Sequence, residues 1–185
     1  MGGQTWWYVA RASGIVAWLL LLASTACGLL LATRRIGALS AGWVLGLHRY
    51  LGALAIAFTG VHVLAILSDD FVSFGWTDVL LPMTANWHPL AVALGVIAMY
   101  LLVAVEVSSI FRPHLSPRTW RGIHLLSYAL FGLASIHALT AGTEARDLLS
   151  DSAVVVIGAC AVFVAALLLV WRSAPRRRTS ERSLA

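Results

Sequence analysis

Five runs of apolar residues govern what this chain can become: roughly Trp7–Ala32, Trp43–Leu67, Pro89–Phe111, Trp120–Ala141 and Ser152–Trp171. A helix needs about 20 apolar residues to span the hydrocarbon of a bilayer, and each run meets that length. The connections between them are short, and no segment outside the runs is long enough for a soluble domain. The expected fold class is therefore all-α, an integral membrane bundle of about five transmembrane helices. Composition closes the alternative of a soluble protein with a large core. A soluble domain is about a quarter charged, whereas here 11% of residues are charged and 60% are hydrophobic.

The arginines set an expected orientation, since basic residues accumulate in cytoplasmic loops. The loop after the first run carries Arg34 and Arg35, and the loop after the third carries Arg112, Arg118 and Arg121. The end of the chain carries Arg172, Arg176, Arg177, Arg178 and Arg182. The loop after the second run has Asp69, Asp70 and Asp78 without an arginine, and the loop after the fourth sets Glu144, Asp147 and Asp151 against Arg146. The N-terminus is thus expected outside and the C-terminus in the cytoplasm, with residues 1–172 as one membrane domain and 173–185 as a basic cytoplasmic tail. The expected location is the cell membrane, as a multi-pass protein. Trp6, Trp7, Trp43, Trp76, Trp87, Trp120 and Trp171 lie near segment ends, where an interfacial aromatic belt belongs. Trp18 does not, and is assigned to packing. The pI near 10 would suggest a nucleic-acid partner in a soluble protein, but membrane topology accounts for these arginines and no nucleic acid is expected. No removable signal peptide is expected at the N-terminus.

Histidine is costly inside a bilayer and is usually functional there. The second run holds His48 and His62, fourteen apart, and the fourth holds His124 and His137, thirteen apart. One run separates these two, so they point in the same direction, and the four imidazoles fall into two level pairs: His48 with His124 near the cytoplasmic end, His62 with His137 toward the outer side. The spacings correspond to rises of about 21 Å and about 19.5 Å. Such pairs can each clamp one planar cofactor between the two helices, and haem, whose iron takes axial imidazoles, is the natural candidate. Zinc fits worse, because it wants three or four ligands in one shell. The competing reading of a single intramembrane histidine, a hydrogen bond to a neighbouring helix, is weaker for four in matched pairs. Fourteen residues bring His48 and His62 to one helix face; thirteen leave His137 well off the face of His124, so a bend or rewinding is expected, with Gly132 a candidate place for it. Cys27 and Cys160 form no CxxC or CxxCH motif and are assigned to packing; covalent haem is not expected.

The segments "HRYLGALAIAFTGVH" and "RTWRGIHLLSYALFGLASIH" resemble the ferric-reductase-like transmembrane superfamily, which includes NADPH oxidases, ferric reductases and the haem subunit of the bacterial methionine sulfoxide reductase system. "WWYVARASG", "FGWTDVLLPM" and "LTAGTEA" resemble small bacterial members. The resemblance implies two b-type haems, ligated by His48 with His124 and by His62 with His137, and electron flow from the cytoplasmic to the outer face. It implies an oxidoreductase haem subunit. Two departures bear on this. Family oxidases continue into a flavin- and NADPH-binding module, and this sequence has no GxGxxG fingerprint; a separate donor is expected, a cytoplasmic flavoprotein or membrane quinol, bringing its own flavin or quinone. Other members have six helices against the five counted here.

Haem propionates favour arginine partners. Arg49, which follows His48, and Arg11, at the outer end of the first run, are the preferred candidates, with Arg121 a third; each could instead anchor at the interface. His88 lies at the outer start of the third run, His114 in an inner loop. Glu106 is expected to pair with an inner-side arginine. The expected function is transmembrane electron transfer to an acceptor on the outer face: ferric iron, dioxygen or an extracytoplasmic redox protein. The alternatives are a quinol-linked cytochrome b subunit, whose family spacing is fourteen on both helices, and a haem-free transporter or sensor using histidine as a proton relay.

Overall fold

The computed structural model describes residues 3–34, 36, 39–70 and 73–141. The fifth expected span, Ser152–Trp171, the acidic loop before it and the basic tail lie outside the described residues. Helix α1 runs Gly3–Thr33, α2 Ala41–Leu67, the short α3 Trp76–Leu80, α4 Pro89–Ile110 and α5 Pro117–Ala141, with one 3-10 turn at Arg112–His114. All of these but α3 and the turn are long and apolar enough to cross a membrane. Helix satisfies every backbone group within one segment there, where hydrocarbon offers no partner for an unpaired N–H or C=O.

The helix ends follow local chemistry more closely than hydropathy. Helix α2 starts two residues before the expected Trp43 because Ser40 caps it, its hydroxyl accepting from the Trp43 N–H at 3.2 Å. Helix α5 starts at Pro117 rather than Trp120, with Ser116 accepting from the Thr119 N–H at 3.1 Å. Pro89 opens α4, where a missing N–H costs nothing. Helix α3 was not expected. The Gly75 N–H donates to the Asp78 carboxylate at 2.9 Å at its start, and the side chain of Thr84 and that of Tyr100 donate to carbonyls at its end, tying it to α4.

Helix α1 packs along α2, and α4 along α5; α1 also meets α5, while α2 and α4 touch lightly. Alanines carry the close approaches, with Ala55 and Ala98 buried in the core, as expected where dispersion contacts rather than water exclusion hold helices together. The core gathers Trp18 and Leu21 of α1, Ala98 and Leu102 of α4, and Leu130 and Phe131 of α5. Trp18 is 5% exposed, stacks on Phe131 with centroids 5.9 Å apart, and donates its indole N–H to the Ser135 hydroxyl at 2.9 Å. Its assignment to packing holds. Leu19, Leu45, Leu64, Val103, Leu125 and Ile136 are exposed on the outside, the surface that lipid tails cover.

Candidate functional site

The bundle brings the intramembrane imidazoles together in the two pairs expected. His48 of α2 faces His124 of α5 with ring centroids 5.9 Å apart and planes at 78°. His62 faces His137 with centroids 6.4 Å apart and planes at 80°. Helix α5 continues unbroken through Gly132.

Three of the rings are held from behind in one repeated way. His62 Nδ1 lies 2.7 Å from the Ala10 carbonyl, His48 Nδ1 2.8 Å from the Ser24 carbonyl, and His137 Nδ1 2.8 Å from the Ala91 carbonyl. A carbonyl can only accept, so Nδ1 carries the proton and donates, and the Nε2 lone pair is left for a ligand. In each case the residue four positions after the acceptor is a glycine that touches the same ring. A β-carbon at Gly14 would lie 2.9 Å from His62 Nδ1, at Gly28 3.3 Å from His48 Cε1, and at Gly95 2.7 Å from His137 Cε1. Side chains on a helix lean toward its N-terminus, so the residue at i+4 overhangs the carbonyl of residue i; glycine there opens the carbonyl to the imidazole. Ala10 and Ser24 are fourteen apart on α1, as His62 and His48 are on the antiparallel α2, so both α2 rings meet the same cradle. The Ser24 hydroxyl adds a contact of 3.1 Å to His48 Nδ1.

His124 differs. Its Nδ1 is buried with no hydrogen-bond partner among the described residues. Thirteen residues place it about 140° around α5 from His137, away from the direction that meets α4 at Ala91 and Gly95. Its ring stacks instead on Trp120, with centroids 4.9 Å apart and planes at 20°.

These donor sets suit a metal held by two axial imidazoles. An imidazole nitrogen sits about 2 Å from a first-row metal, so rings on opposite sides of one ion have centroids roughly 6 Å apart. Both gaps meet that requirement. Among the described residues no three or more His, Cys, Asp or Glu side chains gather to form a cage for an ion, so two-ligand ligation of a macrocycle fits these residues better than a zinc shell.

The secondary candidates are placed as follows. The Arg11 guanidinium lies 4.4 Å over the Trp7 ring, one turn before Gly14. Arg49 and Arg121 are exposed at the His48–His124 end. His88 is exposed, adopts a left-handed backbone with φ 42° before Pro89, and sits edge-on to Trp87. His114 is exposed beside Phe111. Glu106 meets no arginine among the described residues. Helix α4 turns it toward α2, where its carboxylate lies against Gly52. That contact runs across the bundle; Arg35 and Arg172, both on the expected inner side, lie outside the described residues. The cradle glycines were not singled out from the sequence, and Trp120 was assigned only to the interfacial belt; glycines fourteen apart on the first run, mirroring the histidines of the second, were the available signal for the cradle.

A family model described as the ferric reductase like transmembrane component matches residues 13–135, well over half of the chain. The match takes in His48, His62 and His124 and stops short of His137. No curated protein and no solved structure matches.

Proposed function

Because the chain belongs to the ferric reductase-like transmembrane family, and is a multi-pass integral membrane protein, we propose that it carries electrons across the bilayer through two b-type haems. His48 and His124 would hold one, His62 and His137 the other. Haem iron, when bound, supplies one-electron chemistry that no side chain here provides. The observation that carries the reading is the pair of imidazole gaps, 5.9 and 6.4 Å, on two levels of one bundle.

The chain's own residues do the positioning. The carbonyls of Ala10, Ser24 and Ala91 fix tautomer and ring orientation, as partners behind ligating histidines do. Trp18 and Phe131 fill the core between the two levels and keep water from it. Residues 1–172 form the di-haem domain and 173–185 a basic cytoplasmic tail. Electrons enter at the arginine-rich face, cytoplasmic by the positive-inside rule, and leave at the aspartate-bearing face. The donor is a cytoplasmic flavin group, drawn by charge.

The test has two steps. A pyridine haemochrome assay on protein expressed with ample haem should find two haems per chain, released by acid acetone; finding none sinks the reading. Stopped-flow reduction across a salt series then separates donors. Reduction by a flavin reductase should slow as salt rises, whereas fast, salt-independent reduction by quinol alone moves the chain to a quinol-linked role.

A further inference from the structure

Among the described residues no backbone group holds His124 as the other three imidazoles are held, and what lies behind it is an indole. Trp120 stands one turn earlier on α5, the i, i+4 relation that stacks side chains on one face, and its ring lies nearly parallel to that of His124 at 4.9 Å. On Trp120 in turn lies the Arg112 guanidinium, 4.6 Å from the ring centroid. Neither the Trp120 indole N–H nor His124 Nδ1 has a hydrogen-bond partner among the described residues, though both atoms are buried. The indole is therefore held by its faces, and the imidazole by the indole. The cause is the spacing of thirteen: a fourteen-residue interval on α5 would bring His124 close to the face that His137 presents to the carbonyls of α4.

We infer that Trp120 is the positioning residue for His124, replacing by ring stacking the carbonyl anchor that Ala10, Ser24 and Ala91 give the other rings. Arg112 steadies the indole. A stacked ring resists tilting, but it does not fix rotation within its plane as a hydrogen bond at Nδ1 does. His124 is then the most readily displaced of the four imidazoles, and the His48–His124 level is the one a small exogenous ligand enters. The inference rests on the di-haem reading.

Carbon monoxide is the probe, added to dithionite-reduced holoprotein and read by the shift of the Soret band. The wild type should react little. In Trp120→Leu the CO-reactive fraction should rise at least about tenfold, the lower range for loss of a ligand's supporting residue, and should approach half of the haem, one level of two. Trp120→Phe, which keeps a ring face, should stay near the wild type. Repeating Trp120→Leu with His62→Ala, which leaves only the inner level loaded, should make nearly all the remaining haem CO-reactive. The inference is overturned by a Trp120→Leu protein that holds two haems and reacts as the wild type does, by Trp120→Phe behaving like Trp120→Leu, or by reactivity at the His62–His137 level. If Trp120→Leu yields no folded protein, Arg112→Ala, at an exposed residue, loosens the same stack: a CO-reactive fraction above wild type supports the inference, and an unchanged one overturns it. Wild-type protein without haem is a different result, which ends the di-haem reading itself.

Discussion

Gly95 lies against the imidazole of His137 so closely that a β-carbon there would come 2.7 Å from Cε1 and 2.8 Å from Nδ1. Atoms do not pack at that distance, so a side chain at 95 has to push the ring off the Ala91 carbonyl. Gly95→Ala is expected to lower the haem:protein ratio from two toward one, with His62–His137 the level lost. Gly60→Ala, at a glycine with nothing within 4 Å, should leave both haems bound. The haemochrome ratio of the two variants measures the difference, and equal ratios would remove the cradle as a functional element.

Ligand assignment follows from the two ring pairs. His62→Ala or His137→Ala should abolish one haem, and His48→Ala or His124→Ala the other, each leaving the opposite level largely loaded. Redox titration of the four variants reads this directly, since each should retain a single potential, shared within a level and different between levels. If His48→Ala and His62→Ala kept the same potential, the pairing by level would be wrong.

Much of this arrangement was legible in the sequence because its signals are side chains. Apolar runs marked the long helices, and two histidine intervals marked two levels. The cradle was not legible, because its acceptors are backbone carbonyls, and every residue of α1 and α4 has one. Only glycine, by its missing side chain, betrays which carbonyl is reachable. The Glu106 contact was not legible for a related reason. Charge complementarity named an arginine at the same end of the bundle, but the rotation of α4 also decides what an intramembrane acid meets, and among the described residues it lies against Gly52. Helix α3 escaped notice because a five-residue helix held by Asp78 and by bonds from Thr84 and Tyr100 has no apolar run to announce it.

The Trp18–Ser135 hydrogen bond joins α1 to α5 in the core. Interhelical hydrogen bonds in membranes average only about 0.6 kcal/mol, because freed groups find other partners. Trp18 is too enclosed for that, so Ser135→Ala strands its N–H, and the expected loss is about 1–3 kcal/mol. Trp18→Phe removes the donor, and in that background Ser135→Ala should cost far less. Unfolding by denaturing detergent, followed by loss of helical signal, gives both numbers. A full-sized loss from Ser135→Ala in the Trp18→Phe background would assign the effect to packing instead.

Glu106 of α4 lies against Gly52 of α2, two elements that otherwise touch lightly. A β-carbon on Gly52 would run into the Glu106 Oε1. The carboxylate yields by turning within its half-buried site, so the contact should govern how close the two helices sit. Gly52→Ala is expected to destabilise the bundle and to shift the potential of the His48–His124 level, while Glu106→Ala alone makes room. The two changes should couple: Gly52→Ala introduced into Glu106→Ala should lose most of its cost, with an interaction energy of about 1 kcal/mol or more, within the range found for residues in contact. Additive costs would mean that Gly52 is constrained by something other than the carboxylate. A coupled stability effect with an unmoved potential would mean that the pair sets helix spacing without reaching the haem ligands.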